Sequence, residues 1–88
     1  MILDAQSALL EAVAASELRP IQKLRIRLAL RYRPAVRAEI LGAVQMQLCV
    51  EGLVSEEGVV EAAIDWRVVI DTIIKYLPTI LSLIMMFI

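Results

Sequence analysis

The chain has no histidine, a single cysteine and three isolated glycines, so most of the residues from which active sites are built are missing. Without an imidazole, the usual general base, the commonest metal ligand and the Ser-His-Asp and Cys-His arrangements all go together. Cys49 alone cannot form a zinc site. Its place in an apolar helical stretch suits a small core side chain better than a nucleophile. No glycine-rich phosphate loop exists. Glu56-Glu57 could touch a cation, but the run Ser55-Glu56-Glu57-Gly58 reads as a solvated loop. The expectation is a non-enzymatic protein with no cofactor, no metal and no small-molecule substrate.

One cluster does carry chemistry. Seven of the nine basic residues, Arg19, Lys23, Arg25, Arg27, Arg31, Arg33 and Arg37, fall in one stretch, with no acid between Glu17 and Glu39. Such a block can face the phosphates of nucleic acid or of anionic lipid, or an acidic partner. Tyr32 is the only aromatic nearby, so base stacking has little support. Six of the ten acids lie between Glu51 and Asp71, so the net charge of −1 hides a dipolar chain. The two blocks could also pair with each other, within or between subunits.

The elements that position these residues are marked by few breaks. Three glycines, three prolines and no asparagine favour helices joined by short turns over many-stranded sheets. A residue before proline is pushed out of the helical region, so Arg19-Pro20 and Arg33-Pro34 mark helix boundaries. Residues 1–18 read as an N-terminal amphipathic helix, with Asp4 as N-cap and Ala5, Leu9, Ala12 and Val13 at helical spacing. Residues 19–52 hold the basic segment and a third helix. From Lys23 to Arg33 the basic segment alternates almost perfectly, as a half-buried strand would. Its Leu, Arg, Lys, Ala and Gln content favours a helix instead. In that helix Leu18, Ile21, Leu24, Leu28 and Tyr32 share a face, while Ile26 and Leu30 fall among the arginines.

The third helix follows Pro34, with a stripe of Val36, Ile40, Leu41, Val44 and Leu48. Gly42 inside it suggests close packing against another helix, and Gly52 is a C-terminal stop. Residues 53–64 form an acidic linker, with either a helical turn at 59–63 or a ribbon at Val59-Val60. Helix two, a break, helix three, Glu51-Gly52-Leu53-Val54 and that ribbon together loosely resemble a winged-helix arrangement. The resemblance implies that helix three would meet nucleic acid. Yet after Arg37 this helix carries Glu39 and glutamines and no further cation, so no family is assigned.

Residues 65–88 form an apolar C-terminal helix, with Asp65 as N-cap and Pro78 predicting a kink near Leu77. Two apolar rows step by alternate fours and threes: Ile70, Ile74, Leu77, Leu81, Ile84, Ile88, and Val69, Ile73, Tyr76, Ile80, Leu83, Phe87. Opposite them runs a thin row of Val68, Thr72, Lys75, Thr79, Ser82 and Met86. The uncharged stretch Tyr76–Ile88 is thirteen residues, or roughly 20 Å of helix, against roughly 30 Å for a bilayer core. A span counted from Val68 brings Asp71 and Lys75 to the edge of the apolar layer, and Trp66 and Tyr76 would sit near an interface.

The whole chain is 60% hydrophobic with a mean hydropathy of +0.76, more than 88 residues can hide alone. The fold expected is all-α, three to four helices with a kinked apolar C-terminal helix, its packing completed by oligomerisation or a bilayer. Ile70, Ile73, Ile74, Leu77, Ile80, Leu81, Ile84, Phe87 and Ile88 are the residues expected to face a partner copy or lipid. The function expected is a structural or assembly subunit, part of a phage-type particle or membrane-associated complex, that forms a homo-oligomer or inserts in a membrane through that helix. The alternatives are a nucleic-acid-binding module using residues 19–37, and a holin-like membrane protein. Met1-Ile2-Leu3 is followed at once by Asp4, which does not read as a secretory signal. Residence on the cytoplasmic side, membrane-associated or within a particle, is expected.

Overall fold

Helix boundaries follow the chain's few capping and breaking residues. The computed structural model describes residues 1–86, of which 72% are helical, in four helices. α1 (Ala5–Ala15) starts after Asp4, whose carboxylate accepts the Ser7 backbone N–H at 3.1 Å and the Ser7 hydroxyl at 2.9 Å. That satisfies one of the amide donors left open at a helix start. The helix ends at Ala15 rather than at the expected Leu18, where the Ser16 hydroxyl donates back to the Val13 carbonyl at 2.7 Å.

α2 (Pro20–Tyr32) and α3 (Pro34–Val50) each begin with proline and are separated by Arg33 alone. Proline suits a first turn because its missing N–H would have had no helical partner. It also drives the preceding residue extended, and Arg19 sits at φ −64, ψ 149 and Arg33 at φ −128, ψ 83. The Arg19 N–H donates to Gln22 Oε1 at 3.1 Å, which ties off the start of α2. The alternating stretch is therefore helical as far as Tyr32.

The linker to α4 (Trp66–Met86) is more ordered than its acidic composition suggests. Val54 pairs antiparallel with Val60, and Ile2 pairs with Val59. The Ser55 N–H donates to the Val59 carbonyl at 2.8 Å, and the Leu3 N–H to the Gly58 carbonyl at 2.7 Å. The ribbon thus replaces a helical turn at Val59 and Val60, and the N-terminal residues join it. Gly52 and Gly58 have φ of 77 and 82, a left-handed backbone that side chains with a Cβ resist. Helix two, helix three and a ribbon do follow in the order that resembles a winged helix. However, the outward residues of α3 are Ala35, Ala38, Glu39, Gly42, Met46 and Val50, without a cation.

α4 is the helix around which the others close. It packs mainly on α1 and α3, and also on α2. Val69, Ile70, Ile73, Leu77, Ile80 and Ile84 are buried, against a core that includes Leu9, Ile26, Leu30, Ile40 and Leu48. Each such side chain contributes about 1.5–3 kcal/mol by leaving water. The buried stripe straddles both apolar rows, so both find partners within this one chain. Close packing does not explain Gly42, because a Cβ there would meet nothing within 4 Å.

Candidate interaction surface

α2 has two apolar faces, and the inward one is not the face that its spacing makes most conspicuous. Ile26, Ala29 and Leu30 are buried, whereas Ile21, Leu24, Leu28 and Tyr32 are 55%, 46%, 45% and 65% exposed. At about 100° per residue, Arg27 and Arg31 border the outward row on one edge and Arg25 on the other. Turning that row inward would drag guanidinium groups to the edge of the core, where desolvation is costly. Contrary to the expectation from the sequence, Ile26 and Leu30 do not fall among the arginines: the arc from Ala29 through Ile26 to Leu30 holds no arginine of α2, so it is the face that can be buried. The result is an exposed aliphatic ridge with Arg27 and Arg31 along one edge and Arg25 on the other.

The seven basic residues do not act as one patch. Lys23 is half-buried, and its Nζ donates to the Ala14 carbonyl at 3.3 Å, near the end of α1. Arg37 is also half-buried, with Nη1 donating to the Leu30 carbonyl at 3.4 Å, near the end of α2. Both serve helix ends, where cations meet the negative pole of the peptide dipoles. Arg31 lies with its guanidinium 5.3 Å from the Tyr32 ring centre, a cation–π contact at the end of the ridge. Arg25 Nη1 donates weakly to Met85 Sδ at 3.8 Å, which brings the last turn of α4 beside the ridge. Arg33 is already engaged. With Arg33 set aside, no carboxylate among the described residues forms an ion pair with the basic block.

Two grooves flank the ridge. One, of about 510 Å³, is lined by Gln6, Leu10, Arg27, Leu30, Arg31 and Arg37. It joins α1, α2 and α3, and presents three guanidiniums and one amide over an aliphatic floor. The other, of about 260 Å³, runs between α2 and the end of α4 and is lined largely by Leu28, Ala29, Tyr32, Val36 and Ile84. Met85 and Met86 are exposed next to it in sequence, so apolar surface continues from α2 to α4.

The residues expected to face lipid or a partner copy are placed differently. Ile70, Ile73, Leu77, Ile80 and Ile84 are covered by the chain's own helices, Ile74 and Leu81 are half-buried, and Phe87 and Ile88 lie outside the described residues. The reason is that spacing defines an apolar stripe but not the molecule that covers it. Trp66 ties α4 to α1: its Nε1 donates to Glu11 Oε2 at 3.0 Å. Among the described residues no group of His, Cys, Asp and Glu side chains could hold a metal ion. Cys49 is a free, half-buried thiol. Sequence reasoning placed Ile21, Leu24, Leu28 and Tyr32 on one face but had no means to see that this face is open.

Comparison of the chain with protein-family models, with curated proteins and with solved structures gives no match. The surface itself must therefore carry the functional argument.

Proposed function

We propose that this protein is a non-enzymatic assembly or docking subunit, working by surface contact through the outward ridge of α2. The observation that carries the reading is the row Ile21, Leu24, Leu28 and Tyr32, left open to solvent between Arg25 on one edge and Arg27 and Arg31 on the other. Large apolar side chains contiguous on one surface and rimmed by polar groups are the usual mark of a contact site. The six residues Val69, Ile70, Ile73, Leu77, Ile80 and Ile84 of α4 are buried within the chain, and other exposed apolar side chains such as Met1, Ile2, Met46 and Val50 do not lie between cations as the α2 row does. The outward side of α3 carries Glu39 and Met46 rather than cations, which disfavours docking in a nucleic-acid groove.

The test is whether the ridge serves contact rather than folding. Leu24→Ser with Leu28→Ser should cost about 1 kcal/mol or less. It should sharply reduce retention on a hydrophobic matrix and any concentration-dependent self-association. Ile26→Ser, on the buried side, should cost about 3 kcal/mol or more in urea melts. If the ridge pair unfolds the protein as badly as Ile26→Ser, the ridge is core and the proposal fails.

A further inference from the structure

The proposed function names a surface, and its chemistry also restricts what can cover it. We infer that the ridge of α2 and the three-arginine groove beside it form a docking site for an anionic phospholipid bilayer. The inference rests on the reading of the ridge as a contact surface. Ile21, Leu24, Leu28 and Tyr32 enter the boundary between headgroups and acyl chains, and Arg27 and Arg31, with Arg37 behind them, take a headgroup phosphate.

Three features of the surface select this occupant. First, the ridge is aliphatic along its middle, with Arg27 and Arg31 along one edge and Arg25 on the other, the cross-section of a helix lying in the plane of a membrane interface. Second, the apolar surface does not stop at α2: Arg25 leans on Met85, and the groove past Leu28 and Tyr32 reaches Ile84. The covered area is thus a band across two elements, suited to a broad surface rather than a narrow ligand. Third, the groove on the other edge is lined by Arg27, Arg31, Arg37 and the Gln6 amide, with no acid among its lining residues. Guanidiniums lining one groove without a carboxylate, Arg37 with one nitrogen already on the Leu30 carbonyl, offer donors that a phosphate oxygen pair accepts.

Other occupants fit worse. Packing one α2 ridge on another would bring Arg25, Arg27 and Arg31 of both copies together, with no acid on the ridge to offset them. A second copy could offer its exposed Glu56, Glu57 and Glu61 beside exposed Met1, Ile2 and Val59, but those three apolar side chains cover less than the band of ridge and α4 end that a bilayer covers. Nucleic acid would set phosphates against Leu24 and Leu28 and find Tyr32 as the single stacking platform.

The experiment is flotation of the full-length chain with vesicles of phosphatidylcholine alone, and of phosphatidylcholine and phosphatidylglycerol in equal parts. Binding should favour the anionic vesicles by roughly tenfold or more and weaken with salt. Arg27→Gln and Arg31→Gln should each weaken binding to anionic vesicles by roughly fivefold. Leu24→Ser with Leu28→Ser should weaken it on both vesicle types, with circular dichroism unchanged in every variant. Inorganic phosphate at the concentration of the lipid should compete poorly, because it lacks the apolar half of the ligand. Equal binding to both vesicle types, or anionic binding untouched by the ridge pair, overturns the inference. So does complete displacement by inorganic phosphate, which would make the groove a site for free phosphate. A short duplex DNA bound more tightly than the vesicles, with the ridge pair leaving that binding unchanged, also overturns it. If the ridge pair reduces retention and self-association while wild-type protein floats with neither vesicle, the contact surface stands and the lipid inference alone is lost.

Discussion

Single side chains explain why each helix begins where it does, and their effects can be separated by pH and by burial. Asp4 is the clearest case. Its carboxyl is held below the ordinary value of 3.8, chiefly by the backbone N–H of Ser7 and then by the Ser7 hydroxyl. A carboxyl whose value is lowered on folding contributes stability that is fully present above 3.8, and that stability is lost as pH falls through the lower folded value. Asp4→Ala should therefore lower the melting temperature modestly at neutral pH, and the gap from wild type should narrow in strong acid. Thermal melts across that range check it, and a gap constant with pH would refute the cap. Burial gives a second contrast on adjacent residues. Ile80 is fully buried and Thr79 is exposed, so Ile80→Ala should cost about 2–5 kcal/mol. Thr79→Ala should stay within about 0.5 kcal/mol. Equal costs in urea melts would mean that α4 is not seated as described. Caps and Arg-Pro boundaries were legible in the sequence because their causes act over a few neighbouring residues.

Elements are where sequence reasoning reached its limit, and α2 shows why. A period of two, wound on a helix of 3.6 residues per turn, scatters apolar residues around the axis instead of gathering them on one side. The helix then has two apolar faces, and the choice between them depends on what the arginines can tolerate. Spacing grouped Ile21, Leu24, Leu28 and Tyr32 correctly but was silent on their direction. The ribbon at residues 54–60 was half legible, since Val59-Val60 was open to either a turn of helix or a strand pair. What decided it is the pairing of Ile2 with Val59, a contact too distant in sequence for local pattern to show. Two glycines test this level. Gly42 lies in α3 with open space where a Cβ would stand, so Gly42→Ala should stabilise by about 0.5–1 kcal/mol. Gly58 is the opposite case, with its left-handed φ and with Gln45 Nε2 only 3.3 Å from the place of a Cβ. Gly58→Ala should destabilise by about 1 kcal/mol or more. Urea melts of the two variants should move in opposite directions, and a shared direction would contradict the assignment.

At the scale of the whole molecule, α4 qualifies for two roles, a membrane-crossing helix and the core helix of a folded chain. It is 21 residues long, or about 31 Å at 1.5 Å per residue, enough to cross a bilayer core, and its most apolar 18-residue window has a mean hydropathy of 1.8. The uncharged stretch from Tyr76 is shorter than a bilayer core because Lys75 interrupts it, and α4 reaches bilayer length only by including Arg67, Asp71 and Lys75. In the fold, however, its buried face holds α1, α2 and α3 together. Moving α4 into lipid would strip the partners from Leu9, Ala12, Val13, Ile40, Val44 and Leu48 and leave three helices without a centre. Arg67, Asp71 and Lys75 are exposed on the first half of the helix, and lipid would have to accommodate the charges nearest its apolar layer. Both costs favour a folded chain resting on the membrane surface through α2. The expected result is that membrane-bound protein is released by a high-salt or alkaline wash, since surface attraction is screened and an inserted helix is not. Truncation after Tyr76 should then not give a soluble remnant. It removes Leu77, Ile80 and Ile84 from the core, so the shortened chain should lose its cooperative melt and aggregate. A truncated chain that stays soluble and folded, beside a full-length chain that resists alkaline extraction, would instead make α4 an anchor. The two measurements belong together, because solubility alone confuses a lost anchor with a lost core.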